Sequence, residues 1–140
     1  MSRKHYRFLD HTADFGLEIF GENENALFVH AAAALFDLIT DTALLKGERQ
    51  RTLEVAGQDW PDLMVNWLRE LLYLWNGEAR LVQHVNIERL EPTGLRAVVA
   101  TDPYQPDRHT IRNEIKAVTY HQIETAPWQG RWRARVILDV

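Results

Sequence analysis

Between Asp59 and Gly77 the chain reads DWPDLMVNWLRELLYLWNG, and its apolar residues spread well beyond a single stripe. Leu63, Met64, Trp67, Leu68, Leu71, Leu74 and Trp75 recur at helical spacing and cover a broad face. Asp59 reads as the N-cap, Pro61 falls in the first turn, and Gly77 lies near the end. A helix this apolar would leave oil in water if it lay on a surface, so it is expected to be sandwiched or central. Trp67 and Trp75 could line a ligand pocket, but core packing accounts for both with fewer assumptions.

The rest of the chain has to supply the cover. ENENALFVHAAAALFDLIT predicts a first helix with Asn23 or Asn25 as N-cap and acid in its first turn. Leu27, Ala31, Ala34, Leu35 and Leu38 make its apolar stripe, and the slim run Ala31 to Ala34 lets it lie close against a sheet. FGLEIFGE alternates as a half-buried strand with Phe15, Leu17 and Ile19 on one face, and RTLEVAG is a short strand between the helices. The carboxyl half is β-rich: LVQHVNIERL, GLRAVVAT, EIKAVTYHQIE and RWRARVILDV. Turn signals separate these runs at Pro92-Thr93-Gly94, at Pro103 and Pro106, and at Gln129-Gly130. Two early helices and clustered strands predict a single α+β domain, with a mostly antiparallel sheet and the two helices packed on one side of it.

Composition removes several classes of function. Across 140 residues there is no cysteine, so disulfides, thiolate metal sites and cysteine nucleophiles are absent; this fits a cytoplasmic protein. Serine occurs only at position 2, which excludes a serine hydrolase. The formal net charge of −4 argues against a protein that mainly grips nucleic acid through phosphates, though a local basic patch stays open. No apolar run approaches the roughly 20 residues of a spanning helix, and MSRKHYRFLDH lacks the apolar core of a secretory signal. No phosphate-cradling glycine loop or zinc-protease motif is present.

Three stretches carry polar groups that a fold alone does not demand. Asp10-His11-Thr12-Ala13-Asp14 could contribute to a metal site, or could simply set a bend through side-chain bonds to nearby amides. At the chain end, Asp139 alternates onto one strand face with Arg131, Arg133, Arg135 and Ile137. It could pair with an arginine on a neighbouring strand. Alternatively, it and the Val140 terminal carboxylate are two anions that repel unless a cation joins them, and hard cations prefer such oxygens. In EIKAVTYH, Lys116, Val118 and Tyr120 share one face while Ala117, Thr119 and His121 share the other. His121 could be an acid/base group or a hydrogen-bonded structural residue, and Lys116 could meet a phosphate. The preceding loop adds Arg108, His109 and Arg112, either as a basic patch with Lys116 or as a solvated loop.

These stretches, taken in order, resemble the archease family. His11-Thr12-Ala13-Asp14 stands where that family opens, here followed by Phe15-Gly16. AAAALFDLITD is similar to its first helix and exit, EIKAVTYH to a hallmark stretch of the family, and ARVILDV to its terminal strand. The resemblance spans essentially the whole chain. It implies an accessory protein, not itself an enzyme, that acts on a GTP-dependent RtcB-type RNA ligase in tRNA splicing and RNA repair. Such a protein would promote guanylylation of the ligase, allow repeated turnover and broaden its nucleotide use. GTP and RNA would be met only through the ligase, and no membrane is involved. The resemblance also implies a divalent cation, calcium first and magnesium or manganese as alternatives, held by Asp14, Asp139 and Val140. His11, Lys116 and His121 are then expected around the site or toward the partner. Pairing of the FGLEIFGE strand with the last strand would bring Asp14 beside the terminus. Two other readings stay open: a free-standing metal-dependent phosphoester hydrolase, which shares the carboxylates, and a chaperone-like RNA-modification accessory module with no metal role, to which the arginines of the last strand and the apolar second helix point.

Overall fold

A computed structural model describes residues 5–10 and 14–140, the side chains of Leu9, Asp10 and Asp14 excepted. The described residues form seven strands and two α-helices: β1 (Tyr6–Asp10), β2 (Asp14–Gly21), α1 (Glu24–Ile39), β3 (Arg49–Ala56), α2 (Trp60–Glu78), β4 (Arg80–Glu91), β5 (Gly94–Pro103), β6 (Ala117–Trp128) and β7 (Arg131–Asp139). The helix starts follow capping chemistry. Asn23 accepts the Ala26 N–H at 2.8 Å, and Asp59 accepts the Asp62 N–H at 3.0 Å. α2 ends on Ala79, which takes the left-handed conformation at φ 53°. Gly77 instead lies inside the last turn, where a Cβ would stand 2.5 Å from the Tyr73 ring.

The α+β class is as expected, but the single sheet is not. The strands form two antiparallel sheets, one ordered β1-β2-β7-β6 and the other β3-β5-β4. Both helices touch strands of both sheets, so the helices are the middle layer of three. The broad apolar face of α2 explains this, because a sheet on one side alone would leave part of it wet. Trp67 is fully buried there, and its indole N–H donates to the Phe28 carbonyl at 3.0 Å. Leu17 and Ile19 of β2 and Val136 and Leu138 of β7 cover the helices from one side, Leu53, Val55, Val85 and Val99 from the other. β1 was not anticipated; the short run Tyr-Arg-Phe-Leu-Asp pairs with β2 from Tyr6↔Ile19 to Asp10↔Phe15.

The loop between β5 and β6 is mostly exposed, Arg108 and Arg112 included, but it is anchored to the end of α1. Arg112 donates its N–H to Ile39 O at 2.7 Å and a guanidinium nitrogen to Asp37 O at 3.2 Å, while Asn113 donates to Leu38 O at 2.7 Å. The loop thereby satisfies the open carbonyls at the end of α1, which has no basic residue of its own in the last turn. His109 is buried and accepts the Gln105 N–H at 3.1 Å. Arg108, His109 and Arg112 therefore do not converge with Lys116 into one basic patch. Asp102, at the end of β5, takes three backbone N–H donors from Lys46, Gly47 and Glu48 at 2.7, 2.8 and 3.2 Å. Burial alone would raise its pKa, but those donors hold it below the usual 3.8.

Candidate functional site

The carboxyl terminus lies at one end of the four-stranded sheet, and it is not frayed. β7 occupies the interior of that sheet between β2 and β6. Its last residue, Asp139, pairs with Asp14 on one side and with Ala117 on the other. The Asp139 carbonyl also accepts the Lys116 N–H at 2.7 Å. The backbone register therefore sets two aspartates, from opposite ends of the chain, on one rung. Val140, the last residue of the given sequence, follows at once and is exposed.

Asp139 is half-buried, and among the described residues no cationic side chain pairs with it. The arginines expected to serve it are occupied further along β7. Arg133 and Arg135 reach Glu18 at 3.7 and 3.3 Å, Arg133 also bonds Glu124 at 2.7 Å, and Arg7 bonds Glu18 from β1. Glu18 is 1% exposed, on the sheet face away from the helices. Nothing in FGLEIF by itself marks that glutamate as buried. The available signal was the alternation of Arg131, Arg133 and Arg135, which needs an acidic partner across the strand.

The expected residues are thus partly assembled. Asp14, Asp139 and Val140 share the sheet end, with Lys116 bonded to it through its backbone. His121 does not join that rung. It is exposed within a bulge of β6 between Thr119 and Glu124, where Gln122 has φ 54°, and its N–H donates to Thr119 Oγ1 at 3.3 Å. β6 also starts later than EIKAVTYHQIE suggests, at Ala117. His11 lies outside the described residues, as does the Asp14 side chain. Among the described residues no group of three His, Asp or Glu side chains could hold a metal; the terminal carboxylate is a different kind of donor. The donors the rung offers are oxygens, carboxylate and carbonyl, with no nitrogen or sulfur, which suits a hard divalent cation.

Fold and site define a small α+β domain, two antiparallel sheets around a helical pair, with Asp14 and Asp139 on the end rung of one sheet. Among the described residues no helix is long and apolar enough to cross a membrane. This chain belongs to the archease family: the Archease protein family matches residues 6–140. The protein archease of Methanosarcina mazei is 36% identical over 141 aligned residues, covering 98% of this chain and 97% of that one. The solution structure of Methanobacterium thermoautotrophicum protein 1598 superposes with a TM-score of 0.82 at 31% identity, over 99% of this chain and all of that one. A crystal structure of an archease from Thermotoga maritima, described as a possible chaperone, shares the fold with a TM-score of 0.63 at 20% identity, covering 94% of each chain.

Proposed function

We propose that this chain is an accessory activator of a GTP-dependent RtcB-type RNA ligase, and that a divalent cation at its sheet end is part of how it acts. The observation that carries this is the Asp14↔Asp139 rung, directly beside the terminal carboxylate. Like charges so close are stable together only if protonated or if a cation compensates them. Asp14, Asp139 and the Val140 terminus would hold the cation, with calcium the first choice and magnesium or manganese alternatives. When bound, the cation supplies a hard positive charge that polarises oxygen ligands, and three protein groups leave positions open for a partner's oxygens. β7 is flanked by strands on both sides, so it presents Asp139 from a rigid element. Lys116 stands next to the rung as a contact for the ligase or its nucleotide, His11 orients the opening motif, and His121 lies toward the partner from its bulge. The protein works in the cytoplasm on another protein's chemistry, and GTP and RNA are the ligase's substrates.

The test is multiple-turnover RNA ligation by the cognate ligase alone, with this protein, and with Asp139→Ala. Stimulation by the wild type that the folded variant lacks is the expected result. Equal ligation with and without the wild-type protein would overturn the proposal. RNA cleavage by this protein unaided would move the reading to a metal-dependent hydrolase.

A further inference from the structure

One face of α2 carries two polar side chains whose poses are set in advance, one helical turn apart. The first is Arg69. Its Nε donates to the Val118 carbonyl at 3.0 Å, and its guanidinium lies 4.4 Å from the centre of the Tyr120 ring. Tyr120 is itself held, its hydroxyl donating to Asp62 at 2.9 Å, and that carboxylate pushes the phenol's pKa up. Among the described residues the two terminal nitrogens of Arg69 have neither a hydrogen bond nor a carboxylate. The side chain is exposed, so a planar, fixed, double donor faces open space.

The second is Tyr73, 58% exposed. Its ring lies over Gly77, where an added Cβ would come within 2.5 to 2.8 Å of three ring atoms. Glycine inside a helix costs about 1 kcal/mol relative to alanine. At this position it lets the phenol ring lie against the helix while staying 58% exposed. Packing the core does not require that arrangement, because the ring is at the surface.

Both side chains line one open groove of about 420 Å³, together with Leu72, Asn76, Lys116, Ala117 and Val118. That volume is at the small end of ligand sites, about 300–1,000 Å³. Asn76 fixes the far wall by donating to the Ile115 carbonyl at 2.9 Å. The groove pairs an exposed aromatic ring with a planar guanidinium and an ammonium. Stacking surface beside phosphate donors is the pattern by which proteins hold a nucleotide without reading its sequence.

We propose that the groove between α2 and the start of β6 binds a nucleoside phosphate, the base on Tyr73 and the phosphate on Arg69 and Lys116. The ligand is either a free nucleotide or one nucleotide of a single-stranded RNA. This stands apart from the ligase reading, because binding is measured on this protein alone.

The experiment is an NMR titration of the isolated protein with AMP and GMP, a short single-stranded RNA, inorganic phosphate and a glutamate hexapeptide. Saturable shifts confined to residues 69–77 and 116–118 are expected with the nucleotides, the RNA or both, and which of them binds identifies the source. Arg69→Gln should weaken binding about tenfold or more, the loss of a charge-assisted hydrogen-bond pair. Gly77→Ala should also weaken binding by displacing Tyr73, while thermal stability holds or rises; a merely structural glycine would not separate the two. No saturable shift with any nucleotide or RNA would overturn the proposal. So would binding unchanged in Arg69→Gln, phosphate alone binding as tightly as the nucleotides, or the peptide doing so.

Discussion

Glu18→Gln isolates the charge network under the sheet. Glu18 is 1% exposed and faces Arg7, Arg133 and Arg135, whose side chains are 68%, 18% and 45% exposed. Removing one partner of a buried ion pair costs about 3–5 kcal/mol, because the other charge is left in a poor solvent. Here part of that penalty escapes. Arg7 and Arg135 can turn to water, so their share is that of surface pairs, about 0–1 kcal/mol each. Arg133 is the trapped group, but it keeps Glu124 at 2.7 Å. The expected loss is therefore about 2–3 kcal/mol, below the buried-pair range. With an unfolding entropy of about 2.1 cal/mol/K per residue, a chain of 140 residues should lose about 7–10 °C in Tm. Thermal unfolding followed by circular dichroism measures it, with urea unfolding to confirm that the slope is unchanged. Arg135→Met, which removes an exposed partner, should cost no more than about 1 kcal/mol. A Glu18→Gln loss under about 3 °C, or an Arg135→Met loss as large as that of Glu18→Gln, would refute the reasoning.

Two further expectations come from other parts of the fold. If the terminus holds a cation, calcium at a hundred times its dissociation constant should stabilise the wild type by about 2.7 kcal/mol, read as a rise in Tm. Asp139→Asn, or a carboxyl-terminal extension, should abolish most of that rise while an amino-terminal tag should not, and an undiminished rise in the extended protein would remove the terminus from the site. Asp102→Asn should cost about 2–3 kcal/mol near neutral pH through its charge-assisted backbone bonds. Because the folded pKa of Asp102 is depressed, that stability is full above the unfolded value of 3.8 and fades as pH falls through the folded one. Urea unfolding across the acid range should show wild type and variant converging there, and a difference that stays constant through acid would count against the carboxylate.

How much was readable before the fold varied with how local the cause is. The α2 periodicity, its Asp59 cap and its need for cover on several sides follow from residues within one helix, and Trp67 is buried as that pattern requires. The loop after β5 is harder to read as sequence, because Arg112 and Asn113 bond to the end of α1, some 70 residues earlier, while Arg108 and His109 bond to Gln105 within the loop. Val118 is buried and Tyr120 reaches Asp62 and Arg69 of α2, so both turn toward that helix, whereas His121 lies four residues along β6 from the Ala117↔Asp139 rung and falls in the bulge, away from the sheet end.

The sequence by itself settles the helices, most of the strands and the family likeness, because periodicity, caps and side-chain chemistry are properties of neighbouring residues. Only the tertiary structure divides the strands into two sheets, buries Glu18 beneath three arginines and seats Asp14 opposite Asp139. Each of those depends on a register between strands far apart in the chain. A one-residue slip would turn every side chain of β7 to the other face, and no local pattern records which register the closed sheet adopts.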